Sequence, residues 1–201
     1  MPAPDKYAKV GGARIHYIEA GNGPILTMHH GHSFTARIWE KVGTFDAAAR
    51  SGYNVLSIDF PGFGDSERRR FESLGSFIYD FYNTLKIPKA VLMGSSMGGE
   101  AVIDFAVNHP EMVQALILVG AVGVSKYAER ISALKDKPIL LVWGKRDNIS
   151  GSENYKIIMD RVDNAKLSVL DGGHACYLDS SEAFNKLITA FLKELHNDIK
   201  T

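Results

Sequence analysis

The pentapeptide Gly94-Ser95-Ser96-Met97-Gly98 sets a serine midway between two glycines, after the apolar run Lys89–Met93 and ahead of the helical-period stretch Ala101–Val107. Strand, G-x-S-x-G turn and helix together make a nucleophile elbow. Residues two before and two after the central serine crowd together in such a turn, so both places call for glycine. Gly94 and Gly98 meet that demand for Ser96. For Ser95 the same two places hold Met93 and Met97, which are too large. Ser96 also stands at a helix N-terminus, whose dipole favours developing negative charge.

A nucleophilic serine needs a general base, and the base needs a carboxylate to orient it. Of the seven histidines, His174 directly follows the last apolar run, behind the loop-forming pair Gly172-Gly173. His109 precedes Pro110 at a helix end, His196 lies in a polar C-terminal stretch, and His16 sits inside an N-terminal hairpin. His174 is therefore the expected base. The chain order nucleophile, acid, base asks for a carboxylate between Ser96 and His174. Asp147 stands just past the apolar run that ends in Trp143-Gly144. Asp171 is only three residues from His174, and Asp160 and Asp163 read as helix-surface or turn positions. Asp147 is the expected acid.

Acyl chemistry also needs two N–H donors aimed at the oxyanion, one following the nucleophile and one from the loop after the first parallel strand. These fall on the backbone N–H groups of Met97 and His32. His30 is expected to hold that loop by hydrogen bonding, while the side chains of His32, Phe34 and Ile149 are expected to meet substrate. Met28-His29-His30-Gly31-His32 raises a metal question, but Ser33-Phe34 follow where H-x-H-x-D-H needs Asp-His, and no H-E-x-x-H occurs. One cysteine cannot build a thiolate site. The expectation is no metal and no cofactor.

These residues must be carried by strand ends. Short strand-like runs at Ile25–His29, Asn54–Phe60, Lys89–Gly94, Ala115–Gly120, Pro138–Trp143 and Lys166–Leu170, most of them continuously apolar, read as strands of a parallel sheet covered on both faces. Tyr7–Val10 and Ala13–Ala20, joined by Gly11-Gly12, read as an antiparallel hairpin. Helical stripes follow Ile38, Val42, Phe45, Ala49; Leu74, Phe77, Phe81, Leu85; and Phe184, Leu187, Phe191, Leu195. Right-handed crossovers then give an α/β architecture with helices on both faces and ligands at the carboxyl ends of the strands.

The 201 residues suit one domain over 1–201. Hydrophobic residues at 45% and charged residues at 23% exclude disordered and fibrous classes. Lys plus Arg (23) balances Asp plus Glu (23), which argues against gripping nucleic acid or an anionic membrane by net charge. No apolar run is long enough for a membrane helix. The opening Met-Pro-Ala-Pro-Asp-Lys lacks an apolar signal region, so a cytoplasmic location is expected. Arg68-Arg69-Arg70 reads as a solvated helix start in preference to a dock for an anionic substrate. Cys176 reads as a small semi-buried side chain.

In that order and spacing, the hairpin, His30-Gly31, Asp59-Phe60-Pro61-Gly62-Phe63-Gly64-Asp65-Ser66, the elbow, Trp143-Gly144 with Asp147, and Gly173-His174 resemble the serine-dependent α/β-hydrolases over nearly the whole chain. Trp39 with Gly43-Thr44, Gly52-Tyr53 and Gly173-His174-Ala175-Cys176-Tyr177-Leu178-Asp179 are most similar to the small capless hydrolases of the interacting-factor-B type. That resemblance implies esterase activity on short acyl groups, with acyl transfer as a variant. Only residues 121–137 separate the strand ending at Gly120 from the next, room for one short helix and no lid. The expected function is a carboxylesterase that cleaves small acyl esters through an acyl-enzyme in a shallow, open pocket. The alternatives are an acyltransferase, deacylase or perhydrolase on the same residues, or a binding module on a hydrolase fold.

Overall fold

Eight strands form one sheet in the order β1-β2-β4-β3-β5-β6-β7-β8 in the computed structural model, which describes residues 2–198. β1 (Asp5–Val10) and β2 (Ala13–Ala20) make the expected hairpin, and β2 runs antiparallel to β4 (Asn54–Ile58). β3 (Ile25–His29), β5 (Ala90–Ser95), β6 (Val113–Val119), β7 (Ile139–Gly144) and β8 (Ala165–Leu170) continue in parallel. Every residue of β5 and β7 is buried, which is why those segments read as unbroken apolar runs. β8 is half-exposed because it has a neighbour on one side only.

The core divides into two layers. α3 (Leu74–Leu85), α4 (Met97–Asn108) and α5 (Ser152–Met159) cover one face with Phe77, Phe81, Val102, Phe105 and Ile158. α1 (Arg37–Lys41), α2 (Thr44–Arg50), α6 (Cys176–Asp179) and α7 (Ser181–Asp198) cover the other with Trp39, Phe45, Tyr177, Phe184 and Phe191. The β3–β4 crossover uses the second face and the β4–β5 crossover the first. Strand order therefore reverses between β3 and β5, and a crevice opens at their carboxyl ends. There β3 delivers His29-His30-Gly31 beside Ser95-Ser96 of β5, with His29 in register with Gly94.

Three sequence expectations change. The stripe Ile38–Ala49 is two helices, because Gly43 at φ +81° breaks the run. Residues 121–137 hold two 3-10 turns, Val124–Tyr127 and Ile131–Leu134, in place of one helix. Gly123 at φ +67° starts the first turn over Glu100, where a Cβ would lie 2.7 Å from the carboxyl carbon. Arg68-Arg69-Arg70 is solvent-exposed as expected but precedes the helix: α3 starts at Leu74 behind Ser73, whose hydroxyl accepts the Ser76 N–H. Among the described residues, no helix is long and apolar enough to cross a membrane.

Candidate active site

Ser96 takes φ 53° and ψ −115°, and only it and Lys86 among the described non-glycine residues have positive φ. Such strain persists only where the surroundings over-determine it. A Cβ on Gly94 would lie 2.2 Å from the Gly98 carbonyl oxygen, as the crowding argument requires. Gly98 is excluded for a different reason: its Cβ would strike the carbonyl oxygens of His29 and His30 at 2.5 and 2.6 Å. The elbow is thus pinned against β3 as well as folded on itself.

The Ser96 hydroxyl lies 2.8 Å from His174 Nε2. His174 Nδ1 lies 2.9 and 3.0 Å from the two oxygens of Asp147, which is 2% exposed at its side chain. A carboxylate only accepts, so Nδ1 carries the proton and Nε2 is left to accept from the serine. Asp147 Oδ1 also accepts the N–H groups of Ile149 and Ser150, both at 2.9 Å, which fixes the carboxylate plane. Ser150 is itself buried, donating to the Ala121 carbonyl at 2.6 Å and accepting from the Trp143 indole N–H through its own carbonyl. Nothing in the sequence marks that brace. On the histidine side, the Gly173 N–H donates to Asp179, and Gly144 passes so close that a Cβ would lie 1.9 Å from the Gly173 oxygen.

His30 holds its loop through both ring nitrogens: Nε2 accepts the Phe60 N–H, and Nδ1 donates to the Gly31 carbonyl at 2.8 Å. That carbonyl also accepts the Phe34 N–H. The His32 N–H donates to no protein acceptor among the described residues, and the Met97 N–H, at the first position of α4, has no acceptor within its helix. Burial pushes the pKa of His29 down to about 3 and lowers that of His30. No group of three His, Cys, Asp or Glu among the described residues is arranged to hold a metal.

A small open pocket of about 220 Å³ lies over Ser96 and His174 and includes His32, Phe34 and Ile149. Ile149 stands at 65% exposure, and the His32 ring meets Phe63 edge-on. Sequence reasoning missed five further wall residues, Gly31, Ser33, Ser95, Ala175 and Tyr177. The histidines set aside lie elsewhere: His109 stacks on Tyr79, and His16 is buried against Asp59. Asp171 pairs with Arg146 at the surface. Cys176 is fully buried rather than semi-buried, and burial raises its thiol to about 11.

Residues 24–133 match the family model for the alpha/beta hydrolase fold. The chain belongs to the α/β-hydrolase family. A second model of that group, described as TAP-like protein, matches residues 121–199. This hydrolase is 27% identical over 200 residues to the rat putative protein-lysine deacylase ABHD14B, covering 93% of this chain and 94% of the relative. It is also 27% identical to zebrafish protein ABHD14A over 174 residues, 85% of this chain but only 64% of the relative's length. Among solved structures, a predicted CIB-like hydrolase from Thermoplasma acidophilum superposes with a TM-score of 0.90 at 28% identity, covering 96% of this chain and 99% of that one. The small α/β-hydrolase fold read from the sequence is the fold observed.

Proposed function

We propose that this α/β-hydrolase is a serine carboxylesterase acting on small, short-acyl esters. Ser96 is the nucleophile, His174 the general base and Asp147 the orienting acid. The backbone N–H groups of His32 and Met97 receive the oxyanion. The observation that carries this reading is the 2.8 Å contact between a strained Ser96 hydroxyl and a histidine nitrogen free to accept. As Ser96 Oγ bonds to the ester carbonyl carbon, its proton passes to Nε2 and the carbonyl oxygen becomes anionic. Collapse breaks the bond to the leaving alkoxide, which takes the proton from Nε2. Water, deprotonated in turn by His174, releases the acid and restores Ser96.

The open mouth supports a second class of acyl donor. With Ile149 mostly exposed and only two 3-10 turns between β6 and β7, an acylated lysine side chain on a protein can enter, its amine being the leaving group and water remaining the acceptor. The rat relative ABHD14B, a putative protein-lysine deacylase, points to the same class.

Fluorophosphonate labelling with a p-nitrophenyl ester series tests the reading. Ser96→Ala is expected to abolish labelling and turnover, and the wild-type kcat/KM to peak between acetyl and about hexanoyl, since further methylenes stay in water and add none of the roughly 0.8 kcal/mol each gains on burial. Labelling that survives Ser96→Ala, or a preference for palmitoyl over butyryl below aggregation, overturns it.

A further inference from the structure

Buried hydroxyls elsewhere in this protein are closely bonded. Ser57, Ser66 and Ser150 donate to backbone carbonyls at 2.8, 2.9 and 2.6 Å, Tyr53 does so at 2.8 Å, and Thr27 meets Tyr82 at 2.7 Å. Ser95 and Tyr177 break that pattern. They are 2% and 1% exposed, and among the described residues the only hydrogen-bond contact of either hydroxyl is with the other at 3.5 Å, far longer than the usual O–H···O separation. Two hydroxyls offer two donors and four lone pairs. One long contact leaves most of that capacity unspent, which native interiors avoid unless a further group supplies it.

Both side chains line the pocket over Ser96. Ser95 directly precedes the nucleophile, and a Cβ built on Gly31 would lie 3.5 Å from Ser96 Cβ and 3.7 Å from Ser95 Oγ. The Ser95 hydroxyl therefore sits beside the loop proposed to hold the oxyanion, where the first carbons of an acyl group must lie. Beside Gly31 and Ser96, the rest of the wall is Ser33, Phe34, Ile149, Ala175 and the two histidines, with no lysine, arginine or carboxylate. An ionised acyl tail would find no counter-charge there, and a plain alkyl tail would cover both hydroxyls without bonding either.

We propose that Ser95 and Tyr177 form an acyl-recognition subsite for short acyl groups carrying a neutral hydroxyl or keto oxygen at the second or third carbon. The proposal rests on the Ser96 hydrolase reading and names its substrate class. Tyr177→Phe keeps the ring packing against Trp39 and Phe184, and Ser95→Ala removes one oxygen, so both variants preserve the fold.

The test compares p-nitrophenyl butyrate with p-nitrophenyl 3-hydroxybutyrate and p-nitrophenyl 3-oxobutyrate, each corrected for its uncatalysed rate. Wild-type kcat/KM is expected to favour an oxygenated ester by about tenfold to a hundredfold, and the ratio to collapse toward unity in the double variant. A ratio near one in the wild type, or a ratio unmoved by the double variant, overturns the subsite. Calorimetric binding of methyl butyrate and methyl 3-hydroxybutyrate to Ser96→Ala separates this from the chemistry. Tighter binding of the hydroxylated ester, lost with Ser95→Ala and Tyr177→Phe added, supports the subsite even if wild-type turnover is absent and the hydrolase reading fails. Equal affinities overturn it even if Ser96 proves to be the nucleophile.

Discussion

Two histidine–aspartate pairs among the described residues are nearly identical in contact distance and differ in what the far ring nitrogen meets. His174 meets Asp147 at 2.9 Å and His16 meets Asp59 at 2.7 Å, and each aspartate is 2% exposed at its side chain. Each carboxylate also anchors turn N–H groups: Asp147 those of Ile149 and Ser150, Asp59 those of Ala36 and Asp65. The second ring nitrogen separates them. In His174 it faces the Ser96 hydroxyl at the pocket; in His16 it is 2.8 Å from Asp5, itself paired with Arg37. A histidine held between two carboxylates has no nitrogen free to take a proton from a substrate. A buried His–Asp pair is thus a structural clamp by default, and becomes chemical machinery only where the far nitrogen meets a nucleophile held for reaction.

The largest expected effect lies in the first pair. Asp147→Asn keeps an oxygen for the Ile149 and Ser150 N–H groups but no longer accepts from Nδ1–H on both sides, which favours the wrong tautomer. Ester kcat is expected to drop by about three to four orders of magnitude with little change in melting temperature. A loss below about tenfold, with Asp171→Asn doing more damage, would pass the role to Asp171.

The clamp should respond the other way. In Asp59→Asn, an amide turned to accept from Ala36 points its NH2 at the Asp65 N–H and at His16. Leaving these buried donors facing the amide NH2 costs about 3 kcal/mol, visible in urea denaturation. Well below the melting temperature, kcat is expected to stay within tenfold of wild type. If Asp59→Asn instead lowers kcat as far as Asp147→Asn in a fully folded protein, the division into clamp and machinery fails.

The residues of the first pair could be picked out from the sequence and those of the second could not, for a physical reason. Ser96, Asp147 and His174 each follow the carboxyl end of a strand, β5, β7 and β8, by no more than four residues, and a parallel sheet brings such ends together whatever the details of packing. His16 and Asp59 are joined only by the pairing of β2 with β4, and each alone looks like an ordinary polar residue. The Ser95–Tyr177 contact spans 82 residues and depends on where α6 docks, which no local pattern encodes. The helical stripe from Ile38 to Ala49 misled because its spacing continues through Gly43, whereas the backbone turns there.

A third histidine sharpens the comparison with the smallest effect. His29 is fully buried and stacked on Phe60, with Thr27 as its only side-chain partner and no carboxylate in hydrogen-bond contact. With nothing to offset desolvation, its pKa falls from 6.5 to about 3. Above pH 6.5 the ring is neutral in both folded and unfolded chains, so it adds no pH dependence. As pH falls below that value the unfolded chain takes up a proton that the folded chain refuses until about pH 3. Stability is therefore lost on acidification by about 1.4 kcal/mol per pH unit, a slope of one proton. His29→Gln removes the titrating group while keeping an amide within reach of Thr27. Its denaturation free energy, followed from about pH 6.5 down to 5, should fall less steeply than wild type by close to one proton, above the carboxylate range. An unchanged slope would mean that burial without a carboxylate partner does not keep His29 neutral in the fold.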